Sequence, residues 1–135
     1  MSYWLVKSDP ETYSFDDLLR DKRTEWDGVS NNQALLFLRQ MHKGDQVLVY
    51  HSGGDKHIAG LAEVVRGPYA DPKGKDEKLV VVDLKAIRRA VTPVTLAAIK
   101  ADKTFAEFLL VRNSRLSVMP VLPELWSKLV KLAGL

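Results

Sequence analysis

The stretch Asp45–Ser52 reads DQVLVYHS and passes from a turn through an apolar run into hydrogen-bonding side chains. Successive side chains of a strand point to opposite faces. Val47 and Val49 therefore leave one face, while Leu48 and Tyr50 leave the other. Both faces are apolar, which predicts a central, buried strand. Its polar end lies directly before a glycine turn, a common position for a binding site.

Composition limits the classes of protein to which the chain can belong. Its 135 residues are 46% hydrophobic and 27% charged, a balance typical of a folded domain with one core, so we expect residues 1–135 to form a single domain. The absence of cysteine excludes disulfides, thiol nucleophiles and cysteine-ligated metals. The N-terminal apolar run is too short for a signal peptide, and no later run approaches the ~20 residues of a membrane span. We therefore expect a cytoplasmic protein.

Periodicity and turn residues predict the remaining elements around this strand. Further strands are predicted at residues 3–8, 58–65, 79–87 and 115–121, with Gly60 marking a bulge or a close approach. Helices are predicted from the Ser14 cap to Arg20, from Asn31 to His42 after a Ser30 cap, within 91–103, around Thr104–Glu107, and from Pro123. Residues 66–78 are predicted to form a long surface loop, and Trp26 to lie in a loop beside Gly28. The irregular spacing indicates an α+β domain with a mixed, partly closed β-barrel and flanking helices.

Several stretches together resemble the EVE domain of the PUA-like superfamily, which includes the thymocyte nuclear protein group. They occur in the family's order and span nearly the whole chain: Tyr3–Pro10, Trp26–Val29, Asn31 with Gln33-Ala34, Gly44-Asp45 with Tyr50–Ser52, Tyr69 with Asp71-Pro72, and Arg115–Val118 with Pro120. The resemblance implies a PUA-like barrel with a pocket that accepts a modified nucleobase of DNA or RNA. It implies a reader of nucleic acid and not an enzyme, with no cofactor and no metal.

The chain departs from the family pattern at two places. The family commonly has arginine before the asparagine and an Arg-Asn pair after Gln-Ala. Here those positions are Ser30 and Leu35-Leu36. This departure leaves the preferred base open.

A flipped base needs a flat surface for stacking, hydrogen bonds for its edge and donors for its phosphates. Trp26 is the stacking candidate because it lies beside a glycine, although a tryptophan that plugs the barrel end is the alternative. Strand ends and a helix start supply the polar candidates: Lys7, Ser8, Tyr50, His51 and Ser52 at strand ends, Ser30, Asn31 and Asn32 at a helix start, and Arg115 and Ser117 near the last strand. Ordinary caps and surface ion pairs remain the alternatives for these residues.

The histidines also suggest other functions. His51-Ser52 suggests a small-molecule hydrolase, but adjacent strand residues point apart and no nucleophile elbow is present. His51 and His57 bracket a turn, yet two histidines together with Asp55 make at best an incomplete metal site. A protein-interaction scaffold remains the third alternative.

Overall fold

The computed structural model describes residues 1–74 and 76–135. The strands are β1 (Tyr3–Ser8), β2 (Arg23–Trp26), β3 (Gln46–His51), β4 (His57–Ala70), β5 (Val80–Thr95) and β6 (Val118–Pro120). The helices are α1 (Phe15–Asp21), α2 (Asn32–Arg39), α3 (Leu96–Ala101), α4 (Leu109–Arg112) and α5 (Pro123–Ala133), with a 3-10 turn at Lys103–Phe105.

All six strands form one mixed sheet in the order β2-β5-β4-β3-β1-β6. β1 and β3 run parallel, and the other neighbouring pairs are antiparallel. The hydrogen-bonded order ends at β2 and β6, so the barrel is only partly closed. This architecture confirms the predicted α+β fold class.

β3 occupies the central position that its apolar run predicts. Its four apolar residues are all buried, and β1 and β4 flank it on either side. The turn before it is held by Asp45, whose carboxylate accepts hydrogen bonds from the Trp4 indole at 3.0 Å, the His42 backbone at 2.9 Å and the Ser2 backbone at 3.1 Å. Burial opposes ionisation of Asp45, but these hydrogen bonds outweigh it and lower its pKa.

The N-cap predicted for α1 is observed, whereas the N-cap of α2 lies one residue after the predicted one. The Ser14 hydroxyl accepts from the Asp17 backbone at 3.1 Å, and the Asp17 carboxylate accepts from the Ser14 backbone at 2.9 Å, which confirms the first cap. At α2 the cap is Asn31 and not Ser30, because the Asn31 side chain accepts from the Ala34 backbone at 3.0 Å. α2 ends at Arg39, earlier than predicted.

The predicted loop over residues 66–78 is wrong at its start, since β4 continues to Ala70. β-Bulges absorb Gly67 and Pro68: the register with β5 shifts on both sides of Arg66. β5 likewise continues to Thr95. The helix predicted within residues 91–103 therefore begins only at Leu96. Lys75, within the predicted loop, lies outside the described residues.

Short elements account for the remaining differences. β2 is a four-residue strand that ends in Trp26 and pairs with β5, so Trp26 does not lie in a loop. Its short pattern of charged and polar residues carries little strand signal. β6 covers only three of the predicted residues 115–121. Within the described ranges, the structure contains no helix long and apolar enough to cross a membrane.

Candidate functional site

A cavity of about 850 Å³ opens where β1 ends and the chain turns towards α1. β2 and the residues that follow it form the facing wall, and β5 contributes Asp83. Four predicted site residues line this cavity: Lys7, Ser8, Trp26 and Ser117. These residues come from three distant parts of the sequence, and the sheet brings them together.

Two aromatic side chains meet in the wall of the cavity. Trp26 lines the cavity and is 7% exposed, so its side chain is largely packed into the core. The Tyr13 ring lies edge-on to it, with 6.4 Å between the ring centroids and an angle of 81° between the planes. Tyr13 is held in place because its hydroxyl donates to Asp21 at 2.8 Å and its carbonyl accepts from the Ser8 hydroxyl.

Lys7 supplies a cation at the end of β1. Its backbone N–H donates to the Ser117 carbonyl at 2.9 Å, which places these two residues side by side. Its ammonium donates to the Ser114 carbonyl at 2.9 Å and lies 5.8 Å from the centre of the Tyr50 ring. Burial lowers the pKa of Lys7, and the nearby charge of Lys56 lowers it further.

A buried carboxylate, Asp83, lies on β5, the strand that pairs with β2 in this part of the cavity. Its side chain pairs with the Arg23 guanidinium at 2.6 Å and accepts a hydrogen bond from the Tyr69 hydroxyl. Burial opposes ionisation of Asp83, but these two donors outweigh it and lower its pKa. Burial, together with Asp83, raises the pKa of Tyr69 to about 12, so the phenol remains protonated at neutral pH.

The cavity therefore combines an aromatic wall with an anionic wall and flanking cations. A flat, polar ring can stack on an aromatic side chain, while carboxylates accept hydrogen bonds from exocyclic amino groups. Trp26 and Asp83 both line this space, at neighbouring positions of the paired strands β2 and β5. The arrangement is suited to binding a heteroaromatic ring.

His51 is paired with Ser8 in the sheet and so lies next to this site, but its side chain lines a different cavity. Ser8 pairs with His51 across the parallel strands, and the Ser52 N–H donates to the Ser8 carbonyl at 2.9 Å. The His51 ring instead lines a cavity of about 200 Å³ with His57 and Phe15. Its Nε2 atom accepts a hydrogen bond from the Phe15 backbone at 3.0 Å, which requires that nitrogen to be unprotonated.

The His51 and His57 rings face each other across the hairpin, with 5.2 Å between their centroids. The described residues contain no group of three or more histidine, cysteine, aspartate or glutamate side chains that can hold a metal ion. The expectation that this pair holds no metal stays a prediction.

We expect His51 to make the stability of the fold depend on pH. Burial lowers its pKa, and the neighbouring His57 lowers it further, so the folded state favours the neutral ring. Because the folded pKa lies below the unfolded value of about 6.5, this stabilisation is present above about pH 6.5 and is lost as the pH falls through the folded pKa. Urea unfolding at about pH 7 and about pH 5 should show a smaller free energy of unfolding at the lower pH.

His51→Gln serves as the test variant for this pH dependence, since glutamine is neutral throughout and keeps an acceptor. It should show a smaller loss of stability between the two pH values than the unchanged protein. His42→Gln is the control, because His42 lies in the turn before β3, and it should keep the full loss. An equal loss in all three proteins would assign the pH dependence to other groups.

The other predicted site residues lie outside the main cavity. Asn31 caps α2 through its side chain, and Asn32 begins that helix. Tyr50 is buried within β3, and Arg115 is exposed before β6. Tyr50, His51, Ser52, Ser30, Asn31, Asn32 and Arg115 are not among the residues that line the cavity of Trp26. Their roles in binding stay predictions.

Sequence reasoning missed most of the other residues that line the cavity, among them Tyr13, Arg23 and Asp83. Arg23 and Asp83 come together only through the pairing of β2 with β5, and β2 itself had no recognisable pattern. Tyr69 belongs to a stretch that resembled the family, and its hydrogen bond leads directly to Asp83. That stretch was the one signal of this wall available in the sequence.

Comparison with protein families gives one match across most of the chain. The family described as EVE domain matches residues 2–132. Human thymocyte nuclear protein 1 is 32% identical over 157 aligned residues, which cover 91% of this chain and 70% of that protein. The name of this relative refers to the nucleus, and the cytoplasmic location expected from the sequence stays a prediction.

Solved structures show the same fold at high similarity. An NMR structure of a Rhodopseudomonas palustris protein has a TM-score of 0.93 and 43% identity, covering 99% of this chain and 94% of that one. A crystal structure of human thymocyte nuclear protein 1 in complex with DNA containing 5-methylcytosine has a TM-score of 0.90 and 29% identity. It covers 100% of this chain and 99% of that one. Both the fold class and the family resemblance predicted from the sequence are confirmed.

Proposed function

Because this chain belongs to the EVE domain family, we propose that residues 1–135 act as one non-enzymatic domain that captures a modified nucleobase of DNA or RNA. The observation that carries this proposal is the cavity that Trp26 and Asp83 both line. Its volume of about 850 Å³ falls within the range of roughly 300 to 1,000 Å³ found for small-molecule sites. One base, turned out of its strand, fits such a space.

In this proposal each wall has its own task. Trp26 stacks on the face of the base, and the edge of Tyr13 limits how far the ring can slide. The anionic wall at Asp83 favours bases with an exocyclic amino group, since carboxylates accept from the amino group of cytosine. Lys7 and Ser117 donate to the carbonyl edge or to an adjacent phosphate.

The human relative supports DNA as a partner, because it has been crystallised with DNA that contains 5-methylcytosine. For this chain, methylated cytosine is therefore the first base to test. The net charge of +3 adds only a weak, general attraction to a polyanion. Selectivity among bases must then come from the cavity and not from the charge of the surface.

The direct test is a titration with labelled oligonucleotides, followed by fluorescence anisotropy. Matched DNA and RNA strands carry cytosine, 5-methylcytosine or another modified base at one central position. We expect tighter binding of one modified base, with the preference retained between about 50 and 200 mM salt. Equal and strongly salt-sensitive binding of every strand would mean phosphate attraction alone, and absence of binding to all strands would reject the proposal.

The hydrolase alternative receives no support from the geometry. The Nε2 atom of His51 already accepts a backbone hydrogen bond from Phe15. Among the hydrogen bonds of the described residues, none joins His51 to the Ser52 hydroxyl. A general base that activates a serine needs that contact.

A further inference from the structure

Arg66 occupies an unusual position on β4, directly beside the proposed base cavity. Its guanidinium lies over the ring of Tyr69, 4.0 Å from the ring centre. In a regular strand, residues three apart point to opposite faces. The register of β4 against β5 shifts before and after Arg66, and these bulges bring the two side chains to the same side.

The platform under Arg66 is fixed in place. The Tyr69 hydroxyl donates to Asp83, the buried carboxylate that lines the cavity and lies opposite Arg66 in the sheet register. Arg66 is thus held near the cavity wall by stacking on an aromatic ring, and its charge acts on Asp83 without a direct ion pair. Cation–π stacking leaves the N–H donors along the guanidinium edge available to a ligand.

Arg23 and Arg66 differ in how much of their hydrogen-bonding capacity is already used. Arg23 donates to Asp83 through both Nε and Nη2, at 3.2 and 2.6 Å. If Arg23 turned away to bind a ligand, the buried carboxylate of Asp83 would lose both of these hydrogen bonds, which is costly. Within residues 1–74 and 76–135, Arg66 is exposed and makes no ion pair with a carboxylate.

We propose that the Arg66–Tyr69 stack binds a backbone phosphate next to the captured base, so that Arg66 positions the strand while the cavity reads the base. This inference rests on the proposed function. Arginine presents a planar fork that matches phosphate geometry, and stacking removes part of the conformational freedom that binding would otherwise cost. A phosphate contact contributes affinity without base selectivity.

The test compares Arg66→Ala and Arg66→Lys with the unchanged protein on two short DNA duplexes, one with a central 5-methylcytosine and one with cytosine. Arg66→Ala should weaken binding to both by a similar factor, roughly 5- to 10-fold. It should also reduce the slope of log affinity against log salt by about 0.9, the value for one phosphate contact. Arg66→Lys should restore the slope and only part of the affinity, because lysine keeps the charge without the fork.

Arg88→Ala is the matched control. Arg88 is also an exposed arginine of the β4–β5 hairpin, makes no ion pair among the described residues, and lies opposite Leu61, away from the cavity. Its loss should leave both affinity and slope unchanged. Arg66→Ala should lower the unfolding temperature only slightly, because it removes one exposed cation–π contact, and the other variants should unfold at the temperature of the unchanged protein.

Three outcomes would overturn the inference. An unchanged salt slope in Arg66→Ala would show that Arg66 contacts no phosphate. A loss confined to the methylated duplex would assign Arg66 to base reading instead, and an equal loss in Arg88→Ala would mean a general charge effect. If the unchanged protein binds neither these duplexes nor the other strands of the titration, the proposed function itself fails, which is distinct from these three results.

Discussion

Trp26→Leu is expected to weaken binding of the preferred modified oligonucleotide by roughly 10- to 100-fold, since base stacking contributes about 1 to 3 kcal/mol per base. Leucine is chosen because Trp26 is largely buried, and truncation to alanine would open a cavity in the core. Leucine fills much of that volume but offers no aromatic face. Fluorescence anisotropy of a labelled strand measures the loss without relying on the tryptophan signal.

Trp126→Leu provides the matched control for this loss. Trp126 is buried to nearly the same extent, at 6% exposure against 7% for Trp26. It stacks on Tyr3 from α5, with 4.6 Å between the ring centroids, and does not line the cavity. The two variants should lose similar stability in urea unfolding, whereas only the Trp26 variant should lose binding.

Trp26→Phe separates stacking from the exact shape of indole. A phenyl ring still offers an aromatic face, so this variant should keep most of the affinity that leucine loses. If Trp26→Leu binds as tightly as the unchanged protein, Trp26 only plugs the barrel end. That result would return the plug interpretation to first place and leave the cavity without its stacking surface.

The sequence predicts best those helices and strands whose apolar residues follow a regular pattern along the whole element. β3 has apolar side chains on both faces, and a strand with that pattern must lie inside a sheet. β2 shows the opposite case, since three charged or polar residues and one tryptophan carry too little pattern. Its pairing with β5 depends on contacts between residues about 60 positions apart, which no local rule describes.

The site is less predictable than the fold for a related reason. Alternation along β1 and β3 indicates that Ser8 and His51 reach the same edge of the sheet, and the register confirms this. The alternation does not indicate where residues 9–14, which connect β1 to α1, cross that edge of the sheet. The segment passes between the two side chains: Ser8 donates to Tyr13 on the side of the main cavity, and His51 accepts from Phe15 on the side of the smaller one.

Gly60→Ala is expected to lower the free energy of unfolding by about 3 kcal/mol, the upper end of the usual cost of overpacking a core. A Cβ atom at this position would lie only 2.3 Å from two carbons of the Phe15 ring. Phe15 is 1% exposed and begins α1, so the ring has little room to move. The close approach that glycine predicts in the sequence is thus confirmed, and urea unfolding measures its importance.

Two further variants identify the clash as the cause. Gly54 has a φ of +60° and no atom within 4 Å of an added Cβ, so Gly54→Ala tests backbone strain alone and should cost only about 1 to 2 kcal/mol. Phe15→Leu removes ring carbons from the contact, and the double variant should be more stable than the sum of the single effects predicts, by about 0.5 to 3 kcal/mol. Additive effects would mean that Gly60 is needed for its backbone. A coupling would instead show that Gly60 makes room for Phe15 to pack on the sheet. Because Phe15 begins α1, this contact also fixes where the segment that contains Tyr13 leads into the helix.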